Sequence, residues 1–136
     1  MYEFFEHTAD VGLRVRAPDL DSLFEDAARG LFSLIVENLD EVREESRAVF
    51  RLEEPELRFL FFDWLNALLR RFETDRMLLS RFAVRVGDAG LEAEAYGETA
   101  DAARHRLDHE VKAITYHGLR IERSGEGWLA EVVLDI

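Results

Sequence analysis

The chain has 136 residues, 48% of them hydrophobic, and we expect a single domain over residues 1–136. Its 29 acidic and 17 basic side chains give a formal net charge of −12, which argues against strong nucleic-acid binding through phosphates and against docking on an anionic membrane. The absence of cysteine excludes disulfides, thiolate metal sites and cysteine nucleophiles. There is no apolar run of membrane-spanning length and no signal-peptide pattern, so we expect a cytoplasmic protein.

The basic residues are unevenly distributed between the two types. Sixteen are arginine and one, Lys112, is lysine. An arginine presents a rigid planar fork, whereas a lysine is a compact point charge. Lys112 therefore lies either at a position that requires an ammonium group or at one where lysine was retained by chance. Composition leaves both interpretations open.

The first half of the chain predicts three strands and one helix. Apolar or alternating runs favour strands over residues 2–8, 12–17 and 47–52. Apolar residues recur at helical spacing from Leu20 to Val36, and Asp19 or Asp21 is available as the N-cap.

A second helix is the clearest element in the sequence. After Pro55, apolar residues recur at the three-then-four spacing of one helical face and form a predicted core stripe: Leu57, Leu60, Phe61, Trp64, Leu65, Leu68, Leu69 and Phe72. Phe59 and Phe62 lie off this stripe, which predicts either burial between layers or a partner surface, and we favour burial.

The second half of the chain predicts mainly strands. They cover residues 77–86, 91–96, 111–117, 119–123 and 128–136, with a hairpin turn at 87–90 and a polar segment at 97–110. Two helices and seven or eight strands, mostly linked by hairpins, indicate an α+β fold. In this fold two amphipathic helices pack on a largely antiparallel β-sheet.

Most standard catalytic patterns are missing. The sequence has no phosphate-cradling glycine loop, no His-Glu-x-x-His pair and no nucleophile elbow. His105 and His109 are four residues apart, but the surrounding residues are only weakly helical. We therefore expect solvated or capping histidines and not a zinc pair.

Carboxylates are the remaining candidates for chemistry. Asp10 follows a predicted strand and precedes Gly12, and this segment alone favours an Asx-turn. At the other end, the Asp135 side chain and the main-chain carboxylate of Ile136 are one residue apart. Such oxygen ligands select hard cations such as Ca²⁺, Mg²⁺ or Mn²⁺, although a frayed, solvated tail is the simpler alternative. A tail is usually less apolar than this one up to its last residue.

Several blocks of sequence, taken in order, resemble the archease family over nearly the whole chain. The matching blocks are residues 7–12 (His-Thr-Ala-Asp-Val-Gly), 64–69 (Trp-Leu-Asn-Ala-Leu-Leu), 97–98 (Gly-Glu), 110–117 (Glu-Val-Lys-Ala-Ile-Thr-Tyr-His), 128–130 (Trp-Leu-Ala) and 135–136 (Asp-Ile). Two features depart from the family pattern. His109 has no place in it, and Ala67 follows Asn66 where the family commonly has an acidic residue.

The resemblance implies an accessory protein that is not itself an enzyme. Its expected partner is the tRNA-splicing RNA ligase, which joins RNA ends through a guanylylated histidine with Mn²⁺ and GTP. The accessory protein is expected to promote guanylylation and multiple turnover. The family's metal ligands match Asp10, Asp135 and Ile136, and its activity-supporting lysine matches Lys112, with Asp10 supporting activity as well.

Two other classes of function remain open. A stand-alone metal-dependent phosphoester or nucleotide hydrolase could use the same carboxylates, although the sequence supplies no further acid–base pair or nucleophile. A chaperone or modulator of RNA-modifying enzymes could use Phe59, Phe62 and the net charge. For Lys112 and Asp10 there is also a purely structural alternative, a salt bridge between them.

Overall fold

A computed structural model describes residues 1–136 and contains two antiparallel sheets and two long helices. The elements are β1 (Tyr2–His7), β2 (Asp10–Ala17), α1 (Leu20–Ile35), a single 3₁₀ turn (Leu39–Glu41), β3 (Ser46–Glu53), α2 (Leu57–Asp75), β4 (Met77–Gly87), β5 (Gly90–Thr99), β6 (Ala113–Ser124) and β7 (Gly127–Asp135). The strand orders are β1-β2-β7-β6 and β3-β5-β4. The predicted α+β class is confirmed, and its strands divide between two sheets. Neither helix is long and apolar enough to cross a membrane.

Helix α1 lies in the centre of the core. Asp19 is its N-cap and accepts a hydrogen bond of 2.8 Å from the backbone N–H of Ser22. On one side Gly30 lies close to Leu13 of β2, and on another Phe32 stacks against Phe82 of β4. The helix therefore joins the two sheets through one continuous core.

Two carboxylates of α1 protect the edge of the three-stranded sheet. Asp21 accepts a hydrogen bond of 2.8 Å from the backbone N–H of Val86, and Glu25 accepts one of 2.9 Å from that of Val84. An edge strand otherwise presents unpaired N–H groups to solvent. Asp21 thus binds the edge of β4, while its neighbour Asp19 caps the helix.

Helix α2 buries the predicted stripe around Trp64. The Trp64 ring is fully buried, and its Nε1–H donates to the carbonyl of Phe24 at 2.9 Å. Of the two off-stripe residues, Phe62 is half-buried but Phe59 is 38% exposed. The preference for burial was therefore wrong for Phe59.

Strand β6 replaces the two strands predicted over residues 111–123. Thr115 pairs with Val133 and Arg120 pairs with Glu131, so residues 116–119 stand opposite Val132 alone. Gly118 has a φ of +66°, which L side chains rarely adopt, and this residue made the sequence look like a turn. The irregularity is a large β-bulge within one strand, a device that re-aims side chains.

The polar segment between β5 and β6 is attached to the end of α1. The backbone N–H groups of Asp108 and His109 donate to the carbonyls of Ile35 and Leu34, at 2.8 and 3.0 Å. These carbonyls lie in the last turn of the helix, where no intrahelical donor is available. The Asn38 side chain also accepts from the N–H of Arg106, so the segment leading to Lys112 is held in place.

A buried carboxylate organises the start of this segment. Glu98 is hydrogen-bonded by both terminal nitrogens of Arg104, by the backbone N–H of Arg43 and by His105. Hydrogen bonds from Arg104 lower the pKa of Glu98 to about 2, and the other donors act in the same direction. Burial of the carboxylate opposes this shift. His105 accepts from the Asp101 N–H at its Nδ1, so its Nε2 carries the proton that it donates to Glu98.

This arrangement corrects the prediction for one of the two histidines. His105 is only 4% exposed and is a partner of Glu98, neither solvated nor capping. His109 is exposed and lies 3.3 Å from Asp108. Because the segment is not helical, the four-residue spacing does not place the two rings together.

Replacing Glu98 by Gln tests the importance of this buried cluster. We expect Glu98→Gln to lower the free energy of unfolding by about 2 kcal/mol near neutral pH, because Arg104 loses its charged partner. The pKa of Glu98 is lowered from 4.5 to about 2 by folding, so its contribution is complete above 4.5 and disappears as pH falls toward 2. Urea unfolding across that pH range should therefore show a flatter acid dependence in the variant.

The matched control is Glu92→Gln. Glu92 also contacts two arginines, but its side chain is 52% exposed. We expect a change below about 0.5 kcal/mol for this exposed position. Equal effects of the two substitutions would contradict a special role for Glu98.

Candidate functional site

The pairing of β7 brings the two predicted aspartates together at one end of the four-stranded sheet. Val11 of β2 pairs with Leu134 of β7, so the next step along both strands places Asp10 opposite Asp135. Directly opposed residues of an antiparallel pair have Cβ atoms about 5 Å apart. Residues separated by almost the whole chain thus become neighbours.

Both aspartates lie on the face of the sheet that points away from α1. Arg14 and Glu131 mark this face, since their side chains are hydrogen-bonded at 2.8 Å. Asp10 lies four residues before Arg14 and Asp135 four residues after Glu131, and side chains two or four residues apart share a face. Leu13 lies on the other face, against α1.

The turn that carries Asp10 is tight. Thr8 and Ala9 connect β1 to β2 with φ values of 26° and 69°, a conformation that non-glycine residues seldom adopt. The Asp10 side chain is half-buried and accepts no hydrogen bond from the backbone that follows it. The Asx-turn interpretation of Asp10 is therefore wrong.

Lys112 lies immediately before β6, next to the end of β7. Its backbone N–H donates to the carbonyl of Asp135 at 2.7 Å. The side chain is exposed and takes part in none of the ion pairs of the chain. The alternative of a salt bridge to Asp10 is therefore wrong, and the ammonium group is free for an external ligand.

The arginines on the same face are occupied elsewhere. Arg14 contacts Glu131 at 2.6 Å and Glu3 at 3.3 Å, and Arg120 contacts both Glu131 and Glu122. Burial of Glu131 opposes its ionisation, but hydrogen bonds from Arg120 and Arg14 lower its pKa below the ordinary value. The carboxylates at the end of the sheet consequently have no cation of their own.

Two histidines beside the aspartates were not singled out from the sequence. His7 pairs with Asp10 across the β1–β2 hairpin, and its ring packs edge-on against that of His117, with centroids 4.9 Å apart. The Nδ1 atom of His7 is buried without a hydrogen-bond partner. His7 and His117 each lie in a block that matched the family, which is the signal that could have found them.

The donors at this site are oxygen atoms. No group of three or more His, Cys, Asp or Glu side chains in residues 1–136 is arranged to hold a metal ion. The predicted ligands Asp10, Asp135 and the main-chain carboxylate of Ile136 differ from such a group, because one of the three is not a side chain. Ile136 is half-buried and packs against the core, and oxygen ligands of this kind suit a hard divalent cation.

The fold and the site define a class of protein: a small α+β domain with a carboxylate cluster and an unpaired lysine at one end of a sheet. A family model described as the Archease protein family (MTH1598/TM1083) matches residues 2–136. The chain belongs to the archease family.

Curated relatives are similar in sequence to this chain over almost their full length. Protein archease of Methanopyrus kandleri is 40% identical over 139 residues, which cover 99% of this chain and 99% of the relative. Protein archease of Pyrococcus furiosus is 36% identical over 140 residues, covering 99% of this chain and 98% of the relative.

Solved structures have the same fold. The solution structure of Methanobacterium thermoautotrophicum protein 1598 is similar with a TM-score of 0.86 and 32% identity, covering 99% of this chain and 98% of that one. The crystal structure of an archease from Thermotoga maritima, described as a possible chaperone, gives a TM-score of 0.64 at 24% identity, covering 100% and 98%. The latter likeness concerns the fold alone.

Removing the Lys112 side chain tests whether it stabilises the fold. We expect Lys112→Ala to change the free energy of unfolding by less than about 0.5 kcal/mol, because the side chain is exposed and unpaired. Arg104→Ala, which removes the bidentate partner of Glu98, should be clearly destabilising and serves as the comparison. A loss of stability by Lys112→Ala as large as that of Arg104→Ala would show a structural role.

Proposed function

We propose that this chain is an accessory protein that activates the tRNA-splicing RNA ligase and promotes its guanylylation and multiple turnover. Membership of the archease family supports this proposal. The observation that carries it is the register of β7, which puts Asp135 opposite Asp10 on one side and in contact with the backbone of Lys112 on the other. These are the residues that the family resemblance independently assigns to the metal site and to activity.

In this proposal the end of the sheet presents charged groups to the nucleotide site of the ligase. Asp10, Asp135 and the Ile136 carboxylate would hold a divalent cation, with waters or groups of the ligase completing its shell. When bound, such a cation supplies charge neutralisation at a phosphoryl group. The free ammonium group of Lys112 binds phosphate oxygens and orients the nucleotide.

The net charge of the chain suits this partner. A formal charge of −12 attracts a ligase that must itself carry basic surfaces to bind RNA. The same charge disfavours independent RNA binding by the accessory protein. We therefore expect association with the ligase to be fastest at low salt.

A chaperone role is the second candidate. The T. maritima archease is described as a possible chaperone, and this chain exposes Phe59 and Tyr116. A chaperone would bind unrelated unfolded clients, and Lys112 and Asp10 would be irrelevant to that binding. The ligase activator requires both residues, so the same variants separate the two functions.

Lys112→Arg is the sharpest test of the activator function. This substitution keeps the charge but replaces the compact ammonium in a chain whose other basic residues are all arginine. We expect the wild type to stimulate multiple-turnover RNA joining by the cognate ligase, and the variant, still folded by circular dichroism, to lose about tenfold or more of the stimulation. Equal stimulation would remove Lys112 from the mechanism, and no stimulation by the wild type would refute the activator function.

The proposed cation site is tested on the isolated protein. We expect calorimetric titration with MnCl₂ or CaCl₂ to detect binding that Asp135→Asn weakens by at least about tenfold, because one charged ligand is lost. Extension of the chain by one glycine removes the carboxylate from Ile136 and should weaken binding as well. Asp88→Asn, in the exposed β4–β5 turn, is the control and should bind like the wild type. Tight binding by all four proteins would exclude these ligands.

Turnover assays on the same samples address the hydrolase alternative. Hydrolysis of GTP or of a phosphodiester by the purified chain, abolished in Asp135→Asn, would favour a stand-alone enzyme. The proposal requires no such turnover without the ligase.

A further inference from the structure

An exposed aromatic cluster lies where α2 meets the bulge of β6. Tyr116 stacks on Phe62 with ring centroids 3.9 Å apart and planes inclined by 12°, and it contacts Phe59 edge-on at 6.1 Å. Tyr116 is 58% exposed and Phe59 is 38% exposed. We call Phe59, Phe62 and Tyr116 the aromatic patch.

The bulge of β6 is what presents this patch. Residues 116–119 stand opposite a single residue of β7, so Tyr116 leaves the regular ladder and reaches the side of α2 that faces away from the core stripe. Bulges re-aim side chains in this way and are common next to functional sites. Phe62 and Phe59 hold the Tyr116 ring in place while most of it stays exposed. A large aromatic side chain held in this way is suited to contact another molecule.

The patch is continuous with the candidate site. Lys112 lies four residues before Tyr116, and the next residue, His117, packs against His7 beside Asp10. The patch is therefore joined to the end of the sheet by the strand segment that runs from Lys112 to His117. This continuity distinguishes it from isolated exposed apolar residues such as Val49, which lies on the other sheet.

The surroundings of the patch favour a positively charged occupant. Asp63 lies one helical turn after Phe59, and it has no ion pair. Burial, and to a smaller degree the charge of Glu54, raise the pKa of this unpaired carboxyl group. A guanidinium or ammonium group of another molecule would give Asp63 the ion pair that it lacks within this chain.

The aromatic rings themselves accept a guanidinium group. Arg58 lies over the Phe59 ring at 5.1 Å from its centroid, while no cation covers the ring of Tyr116. Cation–π contacts of arginine on tyrosine or phenylalanine stabilise interfaces, most strongly where the groups are desolvated. Exposed aromatic rings close to an unpaired carboxylate thus suit an arginine side chain.

We propose that the aromatic patch and Asp63 form the docking surface for an arginine-bearing segment of the RNA ligase, with the guanidinium on Tyr116 and beside Asp63. This inference rests on the proposed function, because it takes the ligase as the partner. It separates two tasks: the patch provides affinity, and the carboxylates with Lys112 act on the nucleotide.

Affinity for the cognate ligase tests the docking surface. We expect Tyr116→Ala to raise the Kd by about tenfold or more, as for a central aromatic anchor, and Asp63→Asn to raise it several-fold with a weaker dependence on salt. Val49→Ala is the matched control, since Val49 is 57% exposed on the other sheet, and it should bind like the wild type. Thermal unfolding of each variant checks that the fold is intact.

The outcomes separate the docking surface from the activator function. If the wild type binds and stimulates the ligase and Tyr116→Ala and Asp63→Asn do so equally well, the proposed docking surface is wrong. The activator function is then unaffected. Failure of the wild type and of Val49→Ala alike to bind the ligase would overturn both. If sedimentation shows that the wild type alone is a dimer and that Tyr116→Ala is a monomer, the patch joins two copies of this chain and the proposal is wrong.

Discussion

The insertion of β7 between β2 and β6 is the constraint on which the candidate site depends. This strand pairs with β2 on one side and with β6 on the other, so it brings the start of the chain next to two segments of its last quarter. Asp10, Asp135 and Lys112 have no contact through their own side chains that would draw them together. Their proximity is a property of backbone register, which a one-residue slip would destroy by turning the side chains to the other face.

The candidate site and the main stabilising contacts lie in different parts of the molecule. The side chains at the end of the sheet, Asp10, Asp135 and Lys112, take part in none of the ion pairs of the chain, so they add no ion-pair stabilisation. Stability comes from the core around α1 and from buried polar groups elsewhere, above all Glu98 with Arg104. The Glu98 cluster holds the start of the segment that leads into β6, and Lys112 at its end is held by the backbone hydrogen bond to Asp135. Such a division is typical of binding sites, whose groups are held ready for a partner.

Local patterns predicted the elements well and their connections less well. The stripe on α2 and the N-cap at Asp19 follow from periodicity and capping chemistry, which act over a few residues. The bulge in β6 was missed because Gly118 at a positive φ looks the same in a turn and in an irregular strand. His105 was missed because its partner Glu98 meets it only through a bend of the intervening chain. The candidate site residues were proposed from the single lysine, the paired carboxylates of Asp135 and Ile136 and the family resemblance, since no local pattern reveals that Asp10 faces Asp135.

The order in which the strands of this sheet are synthesised determines when the candidate site can form. Arg14 and Glu131 are hydrogen-bonded although they are 117 residues apart in sequence. Contacts of such long range are expensive in loop entropy and tend to form late in folding. During synthesis, the β2 edge of the β1–β2 hairpin therefore stays unpaired until β7 has been made and can pair with it. A chain whose last strand has not yet been made cannot bring Asp10 and Asp135 together, so the candidate site exists only after β7 has joined the sheet.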